Sequence, residues 1–227
     1  MMKKCVILSG AGISADSGLK TFRDAGGLWE GYKVEEVCTP EAYARNPQLV
    51  IDFYNHRRRQ ANAAQPNEAH KALVALEPHY RVEIVTQNVD DLHERAGSQS
   101  VLHLHGELNK VRSCVNTDEV MRWTGDQEAS DCDAEGYPLR PHIVWFGEDV
   151  PMFGDAVHLM EDADIVIVIG TSLNVYPAAS LLRYAPAHAE VYLIDPNPGK
   201  LDVQAEIIPQ RAKDGVPTLV SHLINIA

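Results

Sequence analysis

The chain has 227 residues, of which 45% are hydrophobic, as is ordinary for a globular protein. Its 32 acidic and 20 basic residues give a formal net charge of −12, which argues against nonspecific binding to nucleic acid or to anionic membranes. The apolar run after Lys4 stops at Ser9 and is too short for a signal peptide, and the 4 scattered cysteines predict a reducing, cytoplasmic location.

Four apolar runs predict strands of a buried sheet. In chain order they are CVILSG at 5–10, VEIVTQN at 82–88, DIVIVIGTS at 164–172 and EVYLIDPN at 190–197. Continuous valine and isoleucine are typical of strands buried on both faces, as in a parallel sheet. Even the longest apolar run, 165–169, is too short to span a bilayer.

Helical patterns alternate with these strands at 90–97, 151–163 and 177–187, and a last helix closes the chain. This alternation predicts an α/β fold, a Rossmann-like doubly wound parallel sheet. Each predicted strand ends in a polar or glycine-containing cluster. Because ligands bind at the carboxyl ends of such strands, we expect these clusters to form one site.

Two segments interrupt the alternation. We expect one domain over 1–227, with a core formed by 1–30, 81–106 and 144–227. A smaller subdomain would be formed by insertions at 31–80, which has a helical pattern, and 107–143, which is irregular and rich in turn residues.

The segment SGAGISADSG at 9–18 resembles a dinucleotide-binding glycine turn. Gly10 and Gly12 would let the backbone approach a pyrophosphate, whose charge the following helix N-terminus favours. Gly18 comes too late for the full GxGxxG spacing, so a simple turn after a strand is the alternative.

The segment FYNHRRRQ at 53–60 gathers three arginines within an acidic chain. On a helix, Tyr54 and Arg57 are three positions apart and share one face. The segment is either a solvated helix face or a site for a negatively charged group.

The segment TQNVDD at 86–91 places an amide pair and a carboxylate at a strand end. Gln87, Asn88 and Asp90 could bond an amide ligand and a ribose. The alternative is a helix cap made by Asn88 or Asp90, which is compatible with ligand contact.

The segment LHLHGEL at 102–108 places His103 and His105 two positions apart, on one face of a predicted strand. Buried, hydrogen-bonded histidines are the structural alternative. His105 directly precedes a glycine at the strand end, where a neutral imidazole is suited to act as a general base for a hydroxyl.

Seven segments occur in the order and spacing of the sirtuins, and the resemblance extends over essentially the whole chain. They are GAGIS (10–14), TFRD (21–24), TQNVDDLHERAG (86–97), HLHGEL (103–108), VWFGE (144–148), GTS (170–172) and VYPAA (175–179). Sirtuins remove acyl groups from protein lysines and consume NAD. The resemblance implies that the products are nicotinamide, the free lysine and O-acyl-ADP-ribose.

The resemblance also implies the roles of individual residues. His105 would be the base, acting with Asn88 and Asp90. The NAD-binding residues would be Gly10, Ala11, Gly12, Ile13, Ser14, Phe22, Arg23, Trp29, Gln87, Asn88, Val89, Asp90, Gly170, Thr171, Ser172, Asp195, Pro196, Asn197 and Ala212. Asp195 stands where the family usually has asparagine, and its charge would disfavour the 2′-phosphate of NADP.

The acyl-lysine segment of a protein substrate would add as a strand between two loops, with loose sequence selectivity. By resemblance, its binding residues would be Val144, Phe146, Gly147, Glu148, Val175 and Tyr176. Tyr54 and Arg57 match the pair of the sirtuins that prefer succinyl- and malonyl-lysine, so they would bind the acyl carboxylate. Arg58 and Arg59 would be solvated or paired with acidic neighbours.

Most sirtuins hold a structural zinc with two cysteine pairs, and this chain departs from that pattern. Cys114 and Cys132 have no partners at pair spacing, so no metal is predicted. The subdomain would be held instead by packing around Val111–Val115, Trp123, Tyr137 and Leu139.

Three other functions stay open on sequence alone. They are a plain deacetylase, an NAD-dependent ADP-ribosyltransferase and a catalytically silent NAD-binding module. Since His105, Asn88 and Asp90 are all present, the silent module is disfavoured. The family resemblance further predicts a monomer, and the net charge of −12 predicts no nucleic acid or membrane partner.

Overall fold

The computed structural model describes residues 2–20, 28–29, 31–171, 173, 175–199 and 203–227. Its strands are β1 Lys4–Ser9, β2 Leu28–Trp29, β3 Tyr32–Lys33, β4 Arg81–Thr86, β5 Val101–His103, β6 Gly106–Ser113, β7 Val120–Arg122, β8 Leu139–Ile143, β9 Ile165–Ile169, β10 Glu190–Ile194 and β11 Glu206–Ile208. Its α-helices are α1 Ala11–Ser14, α2 Val34–Val37, α3 Pro40–Arg45, α4 Pro47–Ala63, α5 Glu68–Val74, α6 Leu92–Ala96, α7 Phe153–Met160 and α8 Ala212–Asn225. Short 3₁₀ helices cover Ala15–Ser17 and Ala178–Tyr184.

A six-stranded parallel sheet in the order β11-β10-β9-β1-β4-β5 forms the core. Side chains of a strand alternate between its faces, so β1 contributes to two apolar clusters. Cys5 and Ile7 pack with α5 and α8, whereas Val6 and Leu8 pack with α7 and the 3₁₀ helix at Ala178–Tyr184. The Rossmann-like doubly wound fold is thereby confirmed.

The four strands predicted from apolar runs correspond to β1, β4, β9 and β10. The strand predicted from the LHLHGEL segment at 102–108 is divided in the structure between the end of β5 and the start of β6. β11 has three residues and was not predicted, because so short a run carries little signal. The helix predicted at 177–187 is a 3₁₀ helix in the structure.

The order of the strands reverses at β1. The chain runs from β1 to β4 and β5 on one side, and then places β9, β10 and β11 on the other side. In open α/β sheets, this reversal opens a crevice at the carboxyl ends of the two central strands. Here these are the ends of β1 and β9.

The expectation of irregular structure at 107–143 is wrong in part. β6 forms an antiparallel sheet with β7 and β8, and its buried and less buried positions largely alternate. Val111 and Leu139 are buried as predicted, but Val115 and Tyr137 are 60% and 41% exposed. Apolar packing alone therefore does not hold this sheet.

A buried polar network centred on Gln127 ties the small sheet to α4. The Asn55 side chain donates to Gln127 O and accepts from Gln127 N, both over 2.8 Å. Gln127 Nε2 donates to Leu139 O over 2.7 Å, and the Tyr43 hydroxyl donates to the same carbonyl.

Arg58 belongs to this network, so the expectation that it is solvated or paired with an acidic side chain is wrong. It is 1% exposed, and it donates to Leu108 O and Asn55 Oδ1, each over 2.7 Å, and to Gly125 O. Burial lowers the pKa of Arg58 to about 10. Arg59, in contrast, is exposed and pairs with Asp126, as predicted.

Within the described ranges, no helix is both long enough and apolar enough to cross a membrane.

Candidate active site

A cavity of about 800 Å³ opens at the carboxyl edge of the parallel sheet, beside the ends of β1 and β9. The segments after β1, β4, β9 and β10 all contribute to its wall, as expected from the four polar clusters. The opposite wall comes from α4 and from the segment that follows β8. A single site thus collects residues from the six-stranded parallel sheet and from the three-stranded antiparallel sheet.

Most of the predicted site residues line this cavity. They are Gly10, Ala11, Gly12, Ser14, Arg57, Gln87, Asn88, Val89, Asp90, His105, Val144, Phe146, Gly147, Glu148, Gly170, Thr171, Val175, Tyr176, Asp195, Pro196, Asn197 and Ala212. Ile13 and Tyr54 do not, because both are 0% exposed within apolar clusters. Phe22, Arg23, Ser172 and the side chain of Trp29 lie outside the described residues.

The glycines of the turn serve the close approach of two strand ends. Gly10 N donates to Ile169 O over 3.0 Å, and Gly12 N donates to Gly170 O over 2.8 Å. A Cβ atom on Gly12 would lie 2.6 Å from Gly170 Cα, and Gly170 has a φ of +59°. The amides of Gly10 and Gly12 are therefore engaged with β9, and these glycines set the shape of the crevice.

His105 follows β5 in the turn to β6, so the expectation that it shares a strand with His103 is wrong. Its Nδ1 lies 3.1 Å from Gln87 O, and a carbonyl only accepts, so Nδ1 carries the proton. Nε2 is then the nitrogen that can accept one. Burial lowers the pKa of His105, which keeps the imidazole neutral near pH 7. The Gln87 side chain donates to Thr171 Oγ1 over 3.1 Å.

Asn88 and Asp90 are held in a buried polar network below the cavity. Asn88 Nδ2 donates to Gly10 O and to Ser14 Oγ, both over 3.2 Å. Ser14 Oγ donates to Asp90 Oδ2 over 3.1 Å, and Leu92 N donates to Asp90 Oδ1 over 3.2 Å. Asp90 thus bonds the first amide of α6, although the residue at the N-cap position is Asp91. Contact of this motif with a ligand stays a prediction. Burial raises the pKa of Asp90, although these two hydrogen bonds oppose the shift.

At the end of the cavity near β10, charged residues surround the strand termini. Asp195 is 4% exposed, and its Oδ1 accepts from Asn197 N over 2.8 Å. Arg211, which precedes Ala212 at the start of α8, pairs with Asp16 over 2.5 Å. This ion pair joins the start of α8 to the 3₁₀ helix at Ala15–Ser17, which directly follows Ser14.

At the opposite end, Cys38 and Arg57 line the cavity while Tyr54 lies behind them. The Tyr54 hydroxyl donates to Cys38 Sγ over 3.2 Å and accepts from Trp145 Nε1 over 3.1 Å. The backbone carbonyl of Cys38 accepts from Phe146 N over 3.0 Å. Direct contact of Tyr54 with a ligand therefore has no support in this geometry.

Glu148 fixes the loop after β8 through hydrogen bonds to Arg140 and to the backbone of the loop. Its carboxylate accepts two hydrogen bonds from Arg140, over 2.5 and 3.0 Å, and one from Trp145 N over 2.7 Å. The Arg140 guanidinium lies 3.4 Å from the centre of the Trp145 ring. Burial opposes ionisation, but the hydrogen bond and charge of Arg140 outweigh it and lower the pKa of Glu148.

Sequence reasoning missed several residues of the cavity wall. These are Ala15, Asp16, Gly18, Leu19, Lys20, Cys38, Ile143, Trp145, Val150 and Arg211. Trp145 lies inside the VWFGE segment at 144–148, so the resemblance to the sirtuins offered a signal for its place in the site. Cys38 and Arg211 have none, because tertiary packing alone brings them to the site.

The residues that the structure describes include no cluster of three or more histidine, cysteine, aspartate or glutamate residues that could hold a metal ion. Cys114 and Cys132 are free and exposed. The strand segment at Pro138 separates them, because it bonds Cys114 on one side and bridges Cys132 on the other. The donor set of a tetrahedral zinc site does not fit here.

Comparisons with known proteins identify the family to which this chain is similar. The model of the Sir2 family matches residues 10–177. An NAD-dependent protein deacylase of Aggregatibacter actinomycetemcomitans is 60% identical over 194 residues, covering 86% of this chain and 93% of that protein. One of Helicobacter pylori strain J99 is 54% identical over 228 residues, covering 100% and 97%. A crystal structure of a Sir2 homologue with NAD superposes with a TM-score of 0.90 at 38% identity, covering 99% of this chain and 91% of that one.

Proposed function

The chain belongs to the Sir2 family, and we propose that it is an NAD-dependent protein-lysine deacylase. One observation carries the proposal. His105 lines the cavity at the reversal of the strands, neutral and with Nε2 as its proton acceptor. A general base in a dinucleotide crevice is what transfer of an acyl group to a ribose hydroxyl requires.

NAD supplies the activated bond between nicotinamide and ribose, and the residues of the cavity fit the molecule. The volume of about 800 Å³ is within the range for ligand pockets. We assign the nicotinamide half to Gln87, Asn88 and Asp90, and the adenosine half to the segments at 170–171 and 195–197. Asp195, in a buried position, suits ribose hydroxyls and disfavours the 2′-phosphate of NADP.

His105 takes a proton from a ribose hydroxyl onto Nε2 in this scheme. The Gln87 carbonyl holds the ring through Nδ1 and stabilises the imidazolium that forms. Asn88 and Asp90, fixed by Ser14 and by the N-terminus of α6, offer polar groups that do not need to reorient.

The substrate is an acyl-lysine segment of a protein. We propose that it lies between the segment Val144–Glu148 and the segment around Val175 and Tyr176. Phe146 and Tyr176 are exposed at the cavity, 45% and 68%, which suits contacts with a peptide. Glu148 holds its loop rigid, as pairing through the peptide backbone requires.

We further propose that succinyl- and malonyl-lysine are preferred over acetyl-lysine. Arg57 lines the cavity near Asp90 and Cys38, whose pKa values its charge affects. A guanidinium in this position can form a forked contact with an acyl carboxylate, and an acetyl group offers no such partner. Tyr54 supports the same wall through Cys38 rather than by touching the acyl group.

The absence of structural zinc remains part of the proposal. Asn55, Arg58 and Gln127 hold the small sheet through buried hydrogen bonds, which takes the place of a metal. We also retain the monomer as a prediction.

The experiment that tests the function is mass spectrometry of the products from NAD and a succinyl-lysine peptide. O-succinyl-ADP-ribose and nicotinamide in equal amounts are expected, and they should disappear with His105→Ala. Modification of the protein with ADP-ribose would instead favour the ADP-ribosyltransferase. Turnover of acetyl-lysine alone would favour the plain deacetylase.

A further inference from the structure

His103, the last residue of β5, lies behind the wall of the cavity and makes two hydrogen bonds. Its Nδ1 lies 2.9 Å from Asn88 O, and its Nε2 lies 2.7 Å from Glu94 Oε1 on α6. The residue is 9% exposed and does not line the cavity. It therefore acts on the site without touching a ligand, through the residues that it holds and through its charge.

The two partners define the charge of the ring. A backbone carbonyl only accepts hydrogen bonds, and so does an ionised carboxylate. An imidazole that bonds both must carry a proton on each nitrogen. Burial alone would lower the pKa of His103, but the hydrogen bond and charge of Glu94 and the carbonyl of Asn88 outweigh it and raise the pKa. For Glu94, burial is outweighed by His103 in the same way, and its pKa is lowered.

The charged ring lies among groups that respond to it. Glu94 and His93 face it from α6, Glu107 from β6, and Asp90 from the segment after β4. The charge of His103 favours the ionised form of buried Asp90 and disfavours protonation of His93.

The carbonyl that His103 holds, Asn88 O, belongs to a segment with a second backbone anchor. Val89 O accepts from Leu108 N over 2.8 Å, so consecutive carbonyls at 88 and 89 are anchored from behind. The side chains of Asn88 and Asp90, meanwhile, line the cavity. A change at His103 would thus reach the site through Asn88.

We propose that His103 and Glu94 are positioning residues for the binding of NAD. The charged imidazole of His103 holds the Asn88–Asp90 segment at the cavity, and Glu94 holds the imidazole. The inference rests on the proposed function, because it assumes that this segment binds NAD. It makes cofactor affinity dependent on a proton that takes no part in catalysis.

Calorimetric titration of the variants with ADP-ribose tests this without the deacylation reaction. Glu94→Gln keeps the size of the side chain but removes its charge, and it should weaken binding about tenfold, the loss of one charge-assisted hydrogen bond. His103→Asn keeps a donor near the Nδ1 position and should bind more tightly than His103→Ala. The affinity of the wild type should fall as pH rises through the raised pKa of His103, and in Glu94→Gln this fall should begin at a lower pH.

His158 on α7 and Glu161 directly after α7 form a matched control, since they are a histidine–glutamate pair, 78% and 56% exposed, that does not line the cavity. Glu161→Gln should bind ADP-ribose as the wild type does. Unchanged affinity in both Glu94→Gln and His103→Ala, even with lower thermal stability, would overturn the inference. Failure of the wild type itself to bind would overturn the proposed function, and this inference with it.

A second measurement follows the titration of His103 in the wild type and uses a variant only to assign its resonances. The ring resonances of His103, assigned with His103→Asn, can be followed by NMR as the pH changes. If protonated His103 favours binding, linkage requires ADP-ribose to move its midpoint to higher pH. A midpoint that is the same with and without ADP-ribose would contradict the proposal.

Discussion

Tyr54 and Cys38 are joined by a hydrogen bond of 3.2 Å, and only Cys38 faces the cavity. The tyrosine of the Tyr-x-x-Arg pair thus acts from behind the wall, whereas the arginine of the pair is part of the wall. Tyr54 and Arg57 are three positions apart on α4, yet we expect different consequences when each is changed.

Arg57→Met should abolish the preference for acidic acyl groups. Loss of a hydrogen bond to a charged partner, about 1.5–3 kcal/mol, corresponds to a fall of roughly 10- to 150-fold in kcat/KM for succinyl-lysine. The ratio of kcat/KM for succinyl- over acetyl-lysine on one peptide measures this. Arg59→Met, on the exposed side of α4, is the control and should keep the wild-type ratio. A wild-type ratio near one would show that the acyl preference is absent.

Tyr54→Phe should lower stability more than selectivity. The variant leaves Trp145 Nε1 without its acceptor in a buried place, which costs roughly 1–3 kcal/mol. Thermal unfolding should show the loss, while the acyl ratio should fall far less than in Arg57→Met. An equal collapse of the ratio in both variants would mean that the Tyr54 hydroxyl reaches the substrate.

The dependence of the reaction on pH should reflect His105. A base must be neutral to accept a proton, so activity is lost as pH falls through its pKa. Since burial lowers that pKa below the ordinary 6.5, the acidic limb of kcat/KM should have its midpoint below pH 6.5. A profile of kcat/KM against pH, with a substrate whose own charge is constant, measures the midpoint. An acidic limb centred above pH 6.5 would contradict the assignment of this neutral histidine as the base.

Gly12→Ala should separate the ends of β1 and β9. Its Cβ would lie 2.6 Å from Gly170 Cα and 2.8 Å from Gly170 O, and backbone atoms cannot move aside as a flexible side chain can. We expect a loss of roughly 1–3 kcal/mol in stability and a sharp drop in ADP-ribose affinity. Gly154→Ala is the matched control, because its Cβ meets nothing within 4 Å and α7 should gain up to about 1 kcal/mol. Wild-type affinity in Gly12→Ala would mean that the crevice tolerates a wider opening.

A zinc chelator should leave the thermal stability of the protein unchanged, whereas substitution of Arg58 should lower it. Arg58→Met removes this donor from two buried acceptors, Leu108 O and Asn55 Oδ1, and from the less buried Gly125 O, and we expect a loss of roughly 3 kcal/mol or more in stability. Thermal unfolding with and without a zinc chelator, on protein of measured metal content, compares the two. A lower melting temperature with chelator, or one bound zinc per chain, would contradict this prediction.

The sequence was most informative where one type of residue dominates a stretch. Runs such as Ile165–Ile169 identify strands because only a doubly covered sheet buries them completely. Arg57 and Arg58 mark the opposite limit. They are adjacent and identical in type, yet two of the three acceptors of Arg58 come from Leu108 and Gly125, 50 and 67 positions away. Local pattern carries no signal for such partners, and the same holds for the place of Cys38 in the cavity wall.

The two histidines of the LHLHG segment differ in how far mutation can disturb them. His105 is oriented by the carbonyl of position 87, which every amino acid supplies, so no substitution there can delete the acceptor. His103 is oriented partly by the Glu94 carboxylate, which a single substitution removes. If the proposed roles hold, the orientation of the proton acceptor does not depend on which side chain occupies position 87, while the strength of cofactor binding can be adjusted by mutation of Glu94.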